Sequence, residues 1–197
     1  VSSDSDQKYG FIIDKSRLYK MRRPMVDRNF KSNDMIIYET SIRDFTSFFK
    51  DSIERSTFKG FVDTYTKGVT AKPNGFQYLK KLGVTHIQLM PFFTFAEVNE
   101  KDRFKRYNWG YNPVLYNSPS GAFTNNPDDP YEKINNLRYM IDEIHKAGMK
   151  VVMDVVYNHV YKRNTFNLAK YLKYYFYRFK KNTFSDPVGL GNELRNE

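Results

Sequence analysis

Three apolar segments, MIIYET (35–40), VTHIQLMPF (84–92) and MKVVMDVV (149–156), alternate with stretches of helical spacing. This alternation restricts the fold more than any other feature of the chain. Strands that are apolar on both faces and separated by helices belong to a parallel sheet covered on both sides. The first intervening helix is expected over NGFQYLKKLG (74–83), with Phe76, Leu79 and Leu82 on one face and Gly83 as its stop. The second is expected over DDPYEKINNLRYMIDEIHKAG (128–148). There Asp129 is the N-cap, Pro130 takes the first helical position, and Ile134, Leu137, Ile141 and Ile144 form the apolar face. Pro91 closes the second strand, because proline cannot donate to a central ladder. Phe92 to Pro127 reads as one long aromatic loop. The fold class is therefore α/β. The pattern fits either an open doubly wound sheet or part of a (β/α)8 barrel, and both gather functional groups beyond the C-terminal ends of the strands.

Asp154 sits inside the third apolar segment, and Asn158 and His159 follow where that segment gives out. A polar group in a buried strand costs several kcal/mol, on the order of 2–7, unless it is partnered, and a charged carboxylate costs more. Satisfaction by backbone amides or an arginine is one reading. The amide and imidazole at the same strand exit favour the other, contact with a ligand. Glu39 and Asp44 reach the same edge after the first strand. The stretch RYNWGYNPVLYNSPSG (106–121) adds Tyr107, Asn108, Trp109, Tyr111 and Asn112, with Gly and Pro to fix the loop shape. Aromatic faces stack on the C–H face of a pyranose, and Asn and His reach its hydroxyls. Of the other histidines, His86 reads as a satisfied core residue and His145 as a boundary residue of its helix.

The chain has 197 residues, 40% of them hydrophobic, which suits one globular domain with a sizeable core. No apolar run is long enough to span a membrane. The absence of cysteine excludes disulfides and thiolate metal sites. Together with a start, VSSDSDQKYG, that shows no leader pattern, it favours a cytoplasmic location, although that start lacks Met and reads as cut from something longer. The net charge of +10 comes without a zinc-finger, RNP or phosphate-loop motif, so it reads as a lysine-rich surface and not as a nucleic-acid footprint. Residues 167–181, NLAKYLKYYFYRFKK, place Leu168, Tyr171, Leu172, Tyr175 and Phe179 on one helical face. That pattern belongs to a helix covering the core or to an aromatic loop packing on the barrel, ahead of a basic membrane- or RNA-binding helix. Residues 1–34 are polar, with one strand-like piece at Tyr9 to Ile13 and a basic connector. They read as the tail of an earlier domain, with the second domain running over 35–197.

The motifs together resemble glycoside hydrolase family 13, the α-amylase superfamily, and within it the type I pullulanase or glycogen-debranching branch. DVVYNH (154–159) is similar to that family's first signature region, YNWGY (107–111) to the loop marking the pullulanase branch, and IIYETSIRDF (36–45) and GVTHIQLMPF (83–92) to its first two barrel strands. The resemblance implies the first three βα units of a (β/α)8 barrel, preceded over 1–34 by the end of a carbohydrate-binding β-sandwich. It implies a retaining hydrolase of α-1,6 branch points in pullulan, glycogen or limit dextrin. Asp154 and His159 would line the sugar subsite, Tyr111 would be its stacking platform, and Trp109 and Asn108 would stand beside it. No cofactor is implied, and calcium enters only because Asn158 matches a position that is structural or a calcium ligand in some members. The expected partner is an α-glucan, with no nucleic acid and no membrane.

Three departures accompany the resemblance. Asn112 stands where the motif usually has Asp, GLGNE (189–193) carries Glu193 where Asp is common, and 167–181 lacks a Pro-Gly pair before its aromatic run. Retaining glycosidases use two carboxyl groups roughly 5 Å apart. In this family they come from the fourth and fifth strands, and no segment here matches the nucleophile motif. The expectation is a fragment with part of the substrate cradle, inactive alone. The competing readings are a non-catalytic glucan-binding remnant and a basic nucleic-acid or membrane-binding module.

Overall fold

The computed structural model describes residues 2–22, 31–63, 73–164 and 166–195. Its centre is a parallel three-stranded sheet of β1 (Ile37–Thr40), β2 (His86–Leu89) and β5 (Lys150–Met153), in that spatial order. Ile37 pairs with His86 and Thr40 with Leu89, and on the other side His86 pairs with Lys150 and Leu89 with Met153. Between β1 and β2 run α1 (Ile42–Phe45), α2 (Phe58–Asp63) and α3 (Gly75–Leu82); between β2 and β5 run β3 (Phe93–Phe95), β4 (Pro113–Pro119) and α4 (Pro130–Lys146). This is part of a (β/α)8 barrel, the sheet opening at both edges.

The helices cover one face of the sheet. Ile87 and Leu89 are fully buried there, with Phe58, Phe61, Phe76, Leu79, Met140 and Ile144 from the helices and Tyr38, Val151 and Met153 from the flanking strands. Strand alternation turns Ile37, Glu39, Gln88 and Lys150 to the opposite face. The sequence suggested strands buried on both sides; in the structure β1 alternates between exposed and half-buried, and β5 is half-buried throughout. Only β2 has neighbours on both sides, so only β2 is buried nearly end to end.

The expected helix signals hold locally. Asp129 caps α4 by accepting from the Tyr131 amide at 2.8 Å, and Gly83 ends α3 in the left-handed region at φ 79°. Leu82 departs from expectation and is half exposed, because the one-sided core reaches only Phe76 and Leu79. The expected loop from Phe92 to Pro127 contains an antiparallel hairpin, in which Phe93 pairs with Pro119 and Phe95 with Pro113. The strand expected at Tyr9 to Ile13 reduces to a single bridge between Ser3 and Gly10. The chain after it lies along α4, where Tyr19 donates to Asp142 at 2.9 Å and Arg138 donates to the Tyr19 carbonyl at 2.7 Å.

The stretch 167–181 is not one amphipathic helix. It forms α5 (Asn167–Tyr171), α6 (Lys173–Phe176) and β6 (Phe179–Lys180), which pairs with β7 (Thr183–Phe184). Leu168, Tyr171, Leu172 and Tyr175 are exposed, so the expected apolar face does not exist as one surface. The small second core here is built from Val160, Phe166, Ala169, Tyr177 and Leu194.

Candidate functional site

Backbone hydrogen bonds run past the ends of the strands and carry the sheet into its C-terminal loops. The Met90 amide donates to the Thr40 carbonyl at 3.1 Å, and the Asp154 amide donates to the Leu89 carbonyl at 3.0 Å. Asp154 thus leaves the ladder at a fixed height above it. Its Oδ2 accepts from the Tyr111 hydroxyl at 2.8 Å. This bond ties the tip of the third parallel strand to the tryptophan-bearing loop. Burial, the bond to Asp154 and the nearby Glu39 carboxylate push the Tyr111 hydroxyl up to about 12, so it remains a donor.

His159 makes the second tie. Its Nε2 is 3.1 Å from the Tyr111 carbonyl and its Nδ1 is 3.1 Å from Asn158 Oδ1. A neutral imidazole carries one N–H and donates to one of these oxygens; an imidazolium donates to both. The ring is 4% exposed. Burial holds its pKa below the usual histidine value, with the Tyr111 carbonyl acting the other way. The sequence pointed to His159 as a direct sugar ligand. The structure brings it to the Tyr111 loop, with one ring nitrogen near the Tyr111 carbonyl and the other near Asn158.

The aromatic loop has its own supports. Asn108 accepts from the Gly110 amide at 2.8 Å and donates to the Ala96 carbonyl at 3.3 Å, which shapes the turn. Gly110 has φ 94°, and a Cβ there would lie 2.6 Å from the Pro91 carbonyl oxygen. Only glycine lets the loop approach the end of β2 this closely. Tyr107 donates to Asp44 Oδ2 at 2.5 Å, and the Arg43 guanidinium lies 4.7 Å from the Tyr107 ring centroid. Burial, then the bond to Asp44, raises the Tyr107 hydroxyl, against a hydrogen bond from the Trp109 indole. Tyr107, Asn108, Trp109, Tyr111 and Asn112 line an open cleft of about 480 Å³. That volume falls in the range of about 300–1,000 Å³ typical of small-ligand sites. Trp109 is 61% exposed, an indole face offered to solvent.

Sequence reasoning missed two supporting residues. Glu97 accepts from the Asn112 amide and from the Tyr161 hydroxyl, both at 3.2 Å. Asn192, fully buried, accepts from the Val160 amide at 3.0 Å and donates to the Val160 carbonyl at 2.8 Å, pinning the loop that carries His159. The Asn within GLGNE was the available signal, since a buried amide beside glycines pairs with backbone. Among the described residues no group of three His, Asp or Glu side chains could hold a metal ion. Asn158 places its Oδ1 3.1 Å from His159 Nδ1.

An aromatic cleft thus stands in the loop beyond the C-terminal edge of a parallel sheet, on a partial α/β barrel, and Tyr111 ties it to the carboxylate at the strand tip. Comparison with known proteins agrees. The family profile "Alpha amylase, catalytic domain" matches residues 45–192, and the chain belongs to this family as the N-terminal part of the catalytic domain. It is 38% identical over 167 residues to a pullulanase of Bacillus subtilis, covering 83% of this chain and 23% of that protein. The crystal structure of a pullulanase from Anoxybacillus superposes with a TM-score of 0.91 at 37% identity, covering 100% of this chain and 28% of that one. The same enzyme complexed with maltotetraose gives 0.89, with 98% and 28% covered. The chain thus spans only 23% to 28% of the length of these relatives.

Proposed function

We propose that this chain forms the substrate-cradling part of a retaining α-glucan debranching hydrolase acting on α-1,6 branch points. The observation that carries the reading is the Tyr111–Asp154 bond, which ties the strand-tip carboxylate to a residue of the aromatic cleft. Tyr111 and Trp109 stack on glucosyl rings. Asp154 accepts from a sugar hydroxyl through the oxygen that Tyr111 leaves open. Asn108 and His159 hold the loop geometry. The catalytic carboxyl pair is not among these residues: Asp154 is committed to Tyr111, and no segment of the 197 residues matches the nucleophile motif. Tyr19 and Arg22 lie along α4 through hydrogen bonds to Asn135 and Asp142, so the described part of the N-terminal segment docks on the barrel.

Trp109 is the only tryptophan, so its emission reports on the cleft alone. Titration with maltotetraose is expected to shift and quench it, and Trp109→Phe to remove the signal. Reducing-sugar assays on pullulan are expected to give no product. A flat titration would refute the cleft assignment, and sugar release by the chain would refute the assignment of catalysis to residues outside it.

A further inference from the structure

Glu97 has the backbone conformation φ 60°, a left-handed value unusual for a residue with a side chain. Such strain marks a position that its surroundings hold in place. What holds Glu97 is a frame around the cleft. The preceding Ala96 accepts from the Asn108 side chain at 3.3 Å and donates to the Asn112 carbonyl at 3.0 Å. The Glu97 carboxylate then divides its two oxygens. Oε2 takes the Asn112 amide from one loop, and Oε1 takes the Tyr161 hydroxyl from the other. Asn112 follows the Tyr111 platform, and Tyr161 lies two residues beyond His159. The Tyr161 amide closes the frame by donating to the Pro113 carbonyl at 2.8 Å.

The orientation of Asn112 follows from this arrangement. Its Oδ1 is buried without a hydrogen-bond partner, while its Nδ2 meets the carboxylate. Turning the amide over would set oxygen against oxygen, so Glu97 alone fixes the side chain. An aspartate at this position, the residue the resemblance leads one to expect, would set two carboxylates against each other. The pair is therefore matched: a carboxylate at 97 requires an amide at 112.

We propose that Glu97 is a positioning residue of the glucan cleft, which clamps the Tyr111 loop to the His159 loop through a reciprocal match with Asn112. The inference rests on the glucan-binding reading above and deepens it by naming what sets the platform.

The test is a charge exchange read in two ways on the whole chain: acrylamide quenching of Trp109 without ligand, and maltotetraose affinity. Asn112→Asp is expected to loosen the loop, raising quenching and weakening affinity about five- to tenfold, the scale of replacing one partly exposed charge-assisted hydrogen bond by a repulsion. Adding Glu97→Gln to Asn112→Asp is expected to restore both readouts, because the Gln amide donates to the new carboxylate. Glu97→Gly relieves the backbone strain and removes the clamp. It should leave thermal stability equal or higher while weakening binding, which a merely structural residue would not do. Failure of the double variant to recover, or native binding by Glu97→Gly, would overturn the proposal. If wild-type protein binds no maltotetraose, the glucan reading fails, and the quenching pattern in free protein still decides whether the clamp exists.

Discussion

Gly110→Ala tests whether close approach of the aromatic loop to the β2 end builds the cleft. An alanine Cβ would sit 2.6 Å from the Pro91 carbonyl oxygen and 3.2 Å from the Pro91 Cβ, in a backbone at φ 94°. The conformation alone costs about 1–2 kcal/mol in a non-glycine residue. Relieving a contact with backbone that cannot rotate away adds about 1–3 kcal/mol, the scale of overpacking. The expected loss is about 2–5 kcal/mol, or a displaced loop that takes up part of it. Gly83→Ala supplies the reference. Its φ is 79° and nothing lies within 4 Å, so only the conformational cost of about 1–2 kcal/mol applies. Urea unfolding measures both losses, and Trp109 emission reports whether the loop has moved. Gly110→Ala should lose more stability than Gly83→Ala or shift the emission, and Gly83→Ala should leave the emission native. Equal losses with native emission in both would show that the approach to Pro91 does not shape the site.

Two further outcomes follow from the buried charged groups. The folded His159 pKa lies below its unfolded value, so its contribution is present above the ordinary histidine range and is lost as the pH falls through the folded value. Stability in urea should therefore fall as the pH is lowered below the ordinary histidine range, and His159→Gln should flatten that profile, as unfolding series on both proteins would show. Lys133 is fully buried on α4, donates to the Ser3 carbonyl and faces the buried Glu100, whose pKa burial raises against the pull of Lys133. Lys133→Met removes the charge that opposes that carboxylate and the donor to Ser3, and should cost about 1–3 kcal/mol in urea unfolding at neutral pH. Because the Glu100 pKa is raised in the fold, the deficit should shrink as the pH is lowered through that raised value toward the ordinary carboxylate range. A deficit constant with pH would refute the pairing.

The sequence carried the sheet and its helices because their signals are local. Asp129 before Pro130, Gly83 after Leu82 and Pro91 after Met90 act through one turn of chain, and the structure places each as expected. The hairpin of β3 and β4 was hidden. Its register shifts twice across three pairs, so no clean alternation reached the sequence. The stretch 167–181 had helical periodicity without a covered face. The chain turns at Leu172 and again after Phe176, where backbone bonds from Arg178 to Glu193 and from Arg195 to Phe176 offer a better partner. The site residues Asp154, His159, Tyr111, Trp109 and Asn108 were visible as types in suggestive places. That His159 would face the Tyr111 carbonyl, and that Glu97 would join the two loops, was not visible.

By itself the sequence determined that strands and helices alternate, that the strands run parallel, and that polar groups gather where β5 ends. Those facts depend on apolar spacing and on capping within a few residues. The tertiary structure alone decided which side of each strand is covered, how far Tyr111 is from Asp154, and which partner each nitrogen of His159 takes. Such choices depend on pairings between residues distant in the chain, such as the 43 positions separating Tyr111 from Asp154 and the 48 separating His159 from Tyr111. No local pattern encodes a distance of that kind.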